Sequence, residues 1–316
     1  MWSLRSRAWQ AALLGGLLAF ATACGGGPDG AGGGQQQQKP SAVPDNTALL
    51  GAIKADPQLA GALPAAVAQA KTMRLASNIQ SAPNNFYAPD GKTPIGYEVD
   101  LAKAVGAKLG VTVAYQDLAF GSLITSLQSG RVDLTMAAMN DTKERQKQID
   151  FVDYFSSGIT IMIRKGNPDG ITGPDTLCGK NVAVVQGTSH QKFAAAQSAK
   201  CTQAGKPAIT VTATDSDNQN QNQLRTGRVA AILNDLPSAV YISRTAGDGK
   251  FFEVVPGQPI EGGPYGMGFA KSNTKLRDAV KQALQSLVAD GTYGKILQSW
   301  GVEQGAIKEA AVNGGS

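Results

Sequence analysis

LQSGRVDLTMAAMNDTKERQKQIDF, residues 127–151, reads as the end of one helix, a glycine turn, an apolar strand and the start of a new helix. The turn is Ser129-Gly130-Arg131, and the strand over 132–139 becomes small and apolar towards its C-terminal end. Asn140 or Asp141 is placed to cap the next helix, with Thr142 in its first turn and Glu144 positioned for a capping box. Arg145 falls early in that helix, close to where the strand stops. In open α/β sheets ligands bind beyond the carboxyl ends of the strands. A guanidinium there, beside free helical N–H groups, suits a small carboxylate. The competing reading of Arg145 is an ordinary surface arginine on an amphipathic helix.

The preceding chain repeats the same grammar. MRLAS, residues 73–77, is a short strand. The loop 78–94 is rich in Asn, Pro and Gly and carries Phe86 and Tyr87; loops of that length inside a compact unit are more often functional than idle. A helix follows Gly96, with Leu101, Ala104, Val105 and Leu109 at helical spacing and its acids at the N-terminal end. A strand over 111–115 and a helix over 122–129 complete a βαβαβα order, which calls for a mainly parallel sheet.

Downstream, residues 158–164 alternate and are β-branched, a strong strand. A second α/β series begins after Gly166-Asn167-Pro168: a strand at 182–185, the turn Gln186-Gly187-Thr188-Ser189, a helix over 190–201 and a strand at 208–213. The Asn- and Gln-rich segment 217–226 reads as a solvated helix. Leu224-Arg225-Thr226-Gly227-Arg228-Val229 then echoes Leu127-Gln128-Ser129-Gly130-Arg131-Val132. Each copy leads through an apolar strand to a polar end, Asn140-Asp141 in the first and Asn234-Asp235 in the second. Matching helix–turn–strand units imply two similar lobes, each bringing a polar loop to a shared cleft. A helix over 274–290 with Leu276, Val280, Ala283, Leu284 and Leu287 on one face, a short helix over 293–300 and a loose glycine-bearing tail at 303–316 finish the chain.

The N-terminus sets the compartment. Arg5 and Arg7 precede the mostly apolar stretch 8–20 and then Ala21-Thr22-Ala23-Cys24. That is a secretory signal over 1–23, too short and wrongly flanked for a membrane span. Its end resembles a bacterial lipobox, which implies lipidation of Cys24 and an extracytoplasmic protein held to the cell membrane. Residues 24–46 are a flexible tether, and the Ala- and Leu-rich stretch 47–72 is a helical lead-in broken at Pro57 and Pro64. Removing Arg5 and Arg7 lowers the net charge from +5 to +3, with no basic run interleaved with aromatics, so nucleic-acid binding has little support. Cys178 and Cys201 remain as an even pair in an oxidising compartment. Paired, they close a loop of roughly 20 residues worth about 3 kcal/mol; the other reading is two buried free thiols. His190 is the only histidine, which leaves zinc sites and His-dependent nucleophiles poorly supported. No motif asks for a cofactor.

Seven segments in order, GYEVDLAKAVGAKLG, FGSLITSLQSGRVDL, NDTKERQKQIDFVDYF, VAVVQGTS, GRVAAILND, PYGMGFAK and DGTYGKILQSWG, resemble the bacterial solute-binding proteins of family 3, the receptors of amino-acid ABC importers. The resemblance covers about 73–302. It implies an α/β, two-lobed, periplasmic-binding-protein-like (type II) fold with two crossing hinge strands. Lobe 1 would be 73–155 and 266–302, lobe 2 would be 159–260, and the hinge 156–158 and 261–265. It further implies that Arg145, with Thr188 and Ser189, holds a ligand α-carboxylate. Asp235, with Ala138 and Asn140, takes the α-ammonium, and Phe120 packs on the ligand body. The first loop departs from the family pattern. Asn78 replaces an acid that commonly meets a cationic side chain, and Ser81 lies where a stacking aromatic is common, a role left to Phe86 or Tyr87. The implied ligand is therefore a neutral or polar amino acid or derivative, delivered by a monomeric receptor to an ABC permease. Two alternatives remain: a cyclohexadienyl-dehydratase-like enzyme on the same scaffold, and a ligand-sensing receptor without transport.

Overall fold

One hydrogen-bonded sheet threads both halves of the molecule. The computed structural model describes residues 43–316; the signal segment, Cys24 and the tether as far as residue 42 lie outside the described residues. Asn46, which the sequence assigns to the tether, is buried and clamped: its Nδ2 donates to Asp100 Oδ2 at 2.8 Å and to Ser299 Oγ at 2.9 Å. The lead-in forms three short helices, α1 (Thr47–Gly51), α2 (Pro57–Gly61) and α3 (Ala65–Ala70). The prolines set the breaks, because Pro57 opens α2 behind an Asp56 cap and Pro64 stands just before α3.

The first half runs β1 (Thr72–Ser77), a small hairpin of β2 (Phe86–Tyr87) and β3 (Pro94–Ile95), α4 (Tyr97–Leu109), β4 (Thr112–Asp117), α5 (Leu123–Gln128), β5 (Leu134–Thr135) and α6 (Lys143–Gln146). β1 pairs in parallel with β4 and β5. The strand expected over 132–139 is shorter than its apolar run, because Ala138 adopts φ +47° and turns the chain out of the pleat. Neither Asn140 nor Asp141 caps α6; Thr142 does, its Oγ1 accepting the Arg145 N–H at 3.3 Å.

β6 (Ile149–Arg164) crosses into the second half. There β7 (Asn181–Val185), α7 (Ser189–Gln203), β8 (Thr210–Thr214), α8 (Asp217–Arg225), β9 (Ala231–Asp235), α9 (Leu236–Thr245) and β10 (Phe252–Val254) follow. β11 (Ile260–Ala270) returns antiparallel to β6, and α10 (Thr274–Ala289) and α11 (Thr292–Ser299) pack on the first half. The strand order is β4-β1-β5-β11-β6-β9-β7-β8, with β10 also paired to β6. The main core of the first half includes Leu75, Leu101, Phe155, Tyr265 and Leu284; that of the second includes Ile159, Ile161, Val182, Phe193 and Leu233. Residues 156–158 and 261–264 join neither, so two strands carry the chain between two lobes. Cys178 and Cys201 form a disulfide that ties the segment before β7 to α7.

The sequence echo is also a structural one. Gly130 and Gly227 adopt φ +70° and +74°. The Arg131 N–H reaches Ser126 O at 3.1 Å, and the Arg228 N–H reaches Gln223 O at 3.0 Å. Two expectations fail. α8 is not solvated all round, since Asp217, Asn220 and Leu224 are buried. The tail is not loose. Val312 pairs with Val152, the Gly314 N–H donates to Asp153 Oδ2 at 3.1 Å, and the Gly315 N–H donates to Asp141 Oδ2 at 2.8 Å. Polar capture joins apolar packing in docking it, since Ala310 is buried in the lobe 1 core and Ile307 and Val312 pack against that core.

Candidate functional site

A cavity of about 490 Å³, counting its open mouth, lies between the lobes where the parallel strands end. That is the expected position for a ligand in an open α/β sheet. Lobe 1 contributes Asn78 and Ser81 from the loop after β1, Phe120 from the turn after β4, and Ala137, Ala138 and Asn140 from beyond β5. Lobe 2 contributes Thr188, Ser189 and His190 at the start of α7, Asp217 at the start of α8, and Asn234 and Asp235 at the end of β9. Eight of the ten ligand-binding residues expected from the sequence therefore meet on one wall or the other.

Arg145 stands beside the cavity rather than on its wall. It is buried, with Nη1 donating to Asn140 O at 2.8 Å and Nη2 to Gly187 O at 3.2 Å, so it spans both lobes. Its guanidinium carbon lies 5.5 Å from the centre of the Phe120 ring, a cation–π arrangement. Burial draws its pKa down from the ordinary arginine value, opposed by Glu144, Asp235 and Asp141. A guanidinium has five N–H donors, and these contacts engage two. The surface-arginine reading fails.

Phe86 is not part of this cavity. The β2–β3 hairpin carries it to the outer seam between lobes, where its ring centre lies 5.9 Å from that of Tyr241 and 6.1 Å from that of Trp300. Asn84 reinforces that seam, its Nδ2 donating to Ser238 Oγ at 3.3 Å. Nearer the cavity the Ser189 hydroxyl donates to Asn140 Oδ1 at 2.6 Å across the cleft. Glu144, placed by sequence in a capping box, instead pairs with Lys192 of lobe 2. Gly187 is required: at φ +79°, a Cβ there would lie 3.2 Å from Gly121 Cα of the facing lobe.

The two lobes hold their polar groups differently. Thr188 caps α7, accepting the Gln191 N–H at 3.4 Å while its hydroxyl donates to Val185 O at 2.6 Å. That leaves the first N–H groups of α7 without helical partners. Asp235 occupies the cap position of α9 but makes no capping hydrogen bond; its Oδ1 lies 3.2 Å from His190 Nε2. In lobe 1 the Ala138 N–H is held at 2.8 Å by Glu98 Oε1, and Glu98 also accepts from the Tyr154 hydroxyl and Asn85 Nδ2. Burial pushes Glu98 up to about 7, against the pull of these hydrogen bonds.

Glu98, His190 and Asp217 were not assigned site roles from the sequence. Glu98 and Asp217 lie in the first turns of helices, where an acid already has a local reason to be. His190 directly follows Thr188-Ser189, a signal available in the sequence.

The profile of the bacterial extracellular solute-binding proteins, family 3, matches residues 73–303. The arginine-binding protein ArgT of Corynebacterium glutamicum is 29% identical over 258 residues, spanning 81% of this chain and 83% of its own. Among solved structures, an ancestral arginine-binding protein bound to arginine superposes with TM-score 0.65 at 33% identity, covering 73% of this chain and 98% of the other. The ancestral amino acid-binding protein AncCDT-1, described as a precursor of cyclohexadienyl dehydratase, gives TM-score 0.67 at 28% identity, covering 74% and 97%.

Proposed function

Because the chain belongs to the bacterial extracellular solute-binding proteins of family 3, we propose that it captures one amino acid or amino-acid-like zwitterion between its lobes and passes it to an ABC permease. The observation that carries this reading is a buried guanidinium, Arg145, beside one interlobe cleft whose wall carries a buried carboxylate free of capping duty, Asp235. A zwitterion offers one charge to each, and both ends must be paired once water is excluded. Arg145, the Thr188 turn and Ser189 hold the carboxylate. Asp235, with Ala138 and Asn140, takes the ammonium, and Phe120 covers the ligand body. Asn78 and Ser81 face the side chain; Asn78 in place of an acid supports a neutral or polar one, whereas Asp217 on the other lobe supports a basic one.

Capture is a closure of lobe 2, residues 159–260, on lobe 1, residues 73–155 and 266–302, about a hinge at 156–158 and 261–265. The receptor works as a monomer, held outside the cell by a lipid on Cys24. The competing reading is an enzyme, favoured by Asp217, an acid in the cleft beyond Asp235; AncCDT-1, itself an amino acid-binding protein, is described as a precursor of one. Thermal shift and calorimetry with residues 43–316 decide between them. A bound amino acid at 100 times its Kd raises stability by about 2.7 kcal/mol. No shift with any amino acid, together with turnover of prephenate or arogenate, would overturn the receptor.

A further inference from the structure

We infer that Asp217 selects the ligand's side chain, and that the side chain it selects is cationic, as in a basic amino acid. The inference rests on the zwitterion reading above and deepens it.

Asp217 is buried, opens α8 and lines the cavity. It is not needed as a cap, because Ser216 does that work, its Oγ accepting the Gln219 N–H at 3.4 Å. One carboxylate oxygen, Oδ2, accepts from Asn234 Nδ2 at 2.8 Å. The other accepts no hydrogen bond among the described residues and stays open to the cavity that Asp217 lines. A carboxylate that loses this opening when a ligand fills the cleft is costly unless the ligand pairs it.

Charge matching then defines the missing partner. With a zwitterion in place, Arg145 is matched by its carboxylate and Asp235 by its ammonium. His190 is already engaged, its Nε2 directed at Asp235. Asp217 is the remaining carboxylate on the cavity wall. Burial and the neighbouring Asp235 both resist its ionisation, while Asn234 and His190 favour it, leaving it at about 6. A ligand side chain bearing a positive charge supplies the partner that the fold withholds. Asn78 completes the reach from the facing lobe. Its Nδ2 donates to Leu118 O at 3.1 Å, which leaves its Oδ1 as a neutral acceptor for a second N–H of a guanidinium or ammonium. The acid missing at position 78 is thus replaced by one on the opposite lobe, and sequence position alone conceals the exchange.

The test is calorimetry of the wild-type protein and of Asp217→Asn with L-arginine, L-lysine, L-citrulline and L-glutamine. Citrulline is a near-isostere of arginine without the charge. The wild type should prefer arginine to citrulline by about tenfold or more, and Asp217→Asn should erase most of that ratio while still binding citrulline, since truncating one member of a buried charge pair is that costly. Equal binding of arginine and citrulline by the wild type overturns the inference and leaves the zwitterion reading standing. So does a preference for arginine that survives in Asp217→Asn. Should Asp217→Asn not fold, Asp217→Ser takes its place in the same comparison. Binding of none of the four overturns the inference, whereas the zwitterion reading falls only if no amino acid binds.

Discussion

Ala138 and Asp235 occupy matching points of the two helix–turn–strand units, each eleven residues beyond its leucine, Leu127 or Leu224. From there the units part. At Asp235 the strand runs straight into α9, which begins at the next residue, and the side chain is left free of capping duty. At Ala138 the chain turns left-handed, and α6 begins only at Lys143. Glu98 fixes that turn from below, and the intervening loop swings Arg145 to the cleft. One backbone plan therefore delivers a carboxylate from lobe 2 and a guanidinium from lobe 1. The difference lies in how each strand ends, not in the framework that brings it there.

Mutations at the two ends should separate these roles. Arg145→Ala should weaken ligand binding most, by about 3–5 kcal/mol, because it leaves the ligand carboxylate buried and unpaired; melting of the free protein should change little. Asp235→Asn should cost about 2–3 kcal/mol, since the amide keeps one acceptor for the ammonium. Calorimetry reads both, and a reversed order would break the assignment of charges to lobes. Gly187→Ala should cost about 1–2 kcal/mol through its left-handed backbone and should slow or block closure against Gly121, seen as weakened binding. Ser189→Ala removes one neutral hydrogen bond across the cleft and should cost about 1 kcal/mol.

The buried acids give a comparison in pH. Glu98 titrates near 7 in the folded protein, above its ordinary 4.5, so the native state holds its proton longer than the unfolded chain does. Its contribution to stability is whole below about pH 4.5 and is lost as pH rises to about 7. Asp153, raised to about 7 by burial and by Asp141 beneath the docked tail, acts in the same direction. Melting curves between pH 4.5 and 8 should therefore fall less steeply for Glu98→Gln than for the wild type, but not become flat. An unchanged slope would mean that Glu98 does not hold its proton in the fold.

Much of the site was legible because strand ends announce themselves. The runs into Asn140 and Asp235 change from apolar to polar at the point where a parallel strand must stop, and Arg145 and Thr188 stand just beyond such ends. Glu98 and Asp217 were hidden by plausibility, since an acid in a helix's first turn needs no further explanation. Phe86 was misplaced because a loop's composition gives its exposure but not its direction. The tail escaped notice because its partners, Asp141 and Asp153, look like surface acids until their burial is known. The neutral-ligand expectation drew on Asn78 and Ser81 in the first loop, and only the fold shows that Asp217 of the other lobe lines the same cavity.

The central claim is that both ends of one zwitterion are held, the carboxylate by the guanidinium of lobe 1 and the ammonium by the carboxylate of lobe 2. Calorimetry with L-arginine, its methyl ester and its Nα-acetyl derivative tests this most directly. L-arginine should bind, and each blocked form should lose at least about a hundredfold in affinity. Binding of either blocked form as tightly as the free amino acid would contradict it.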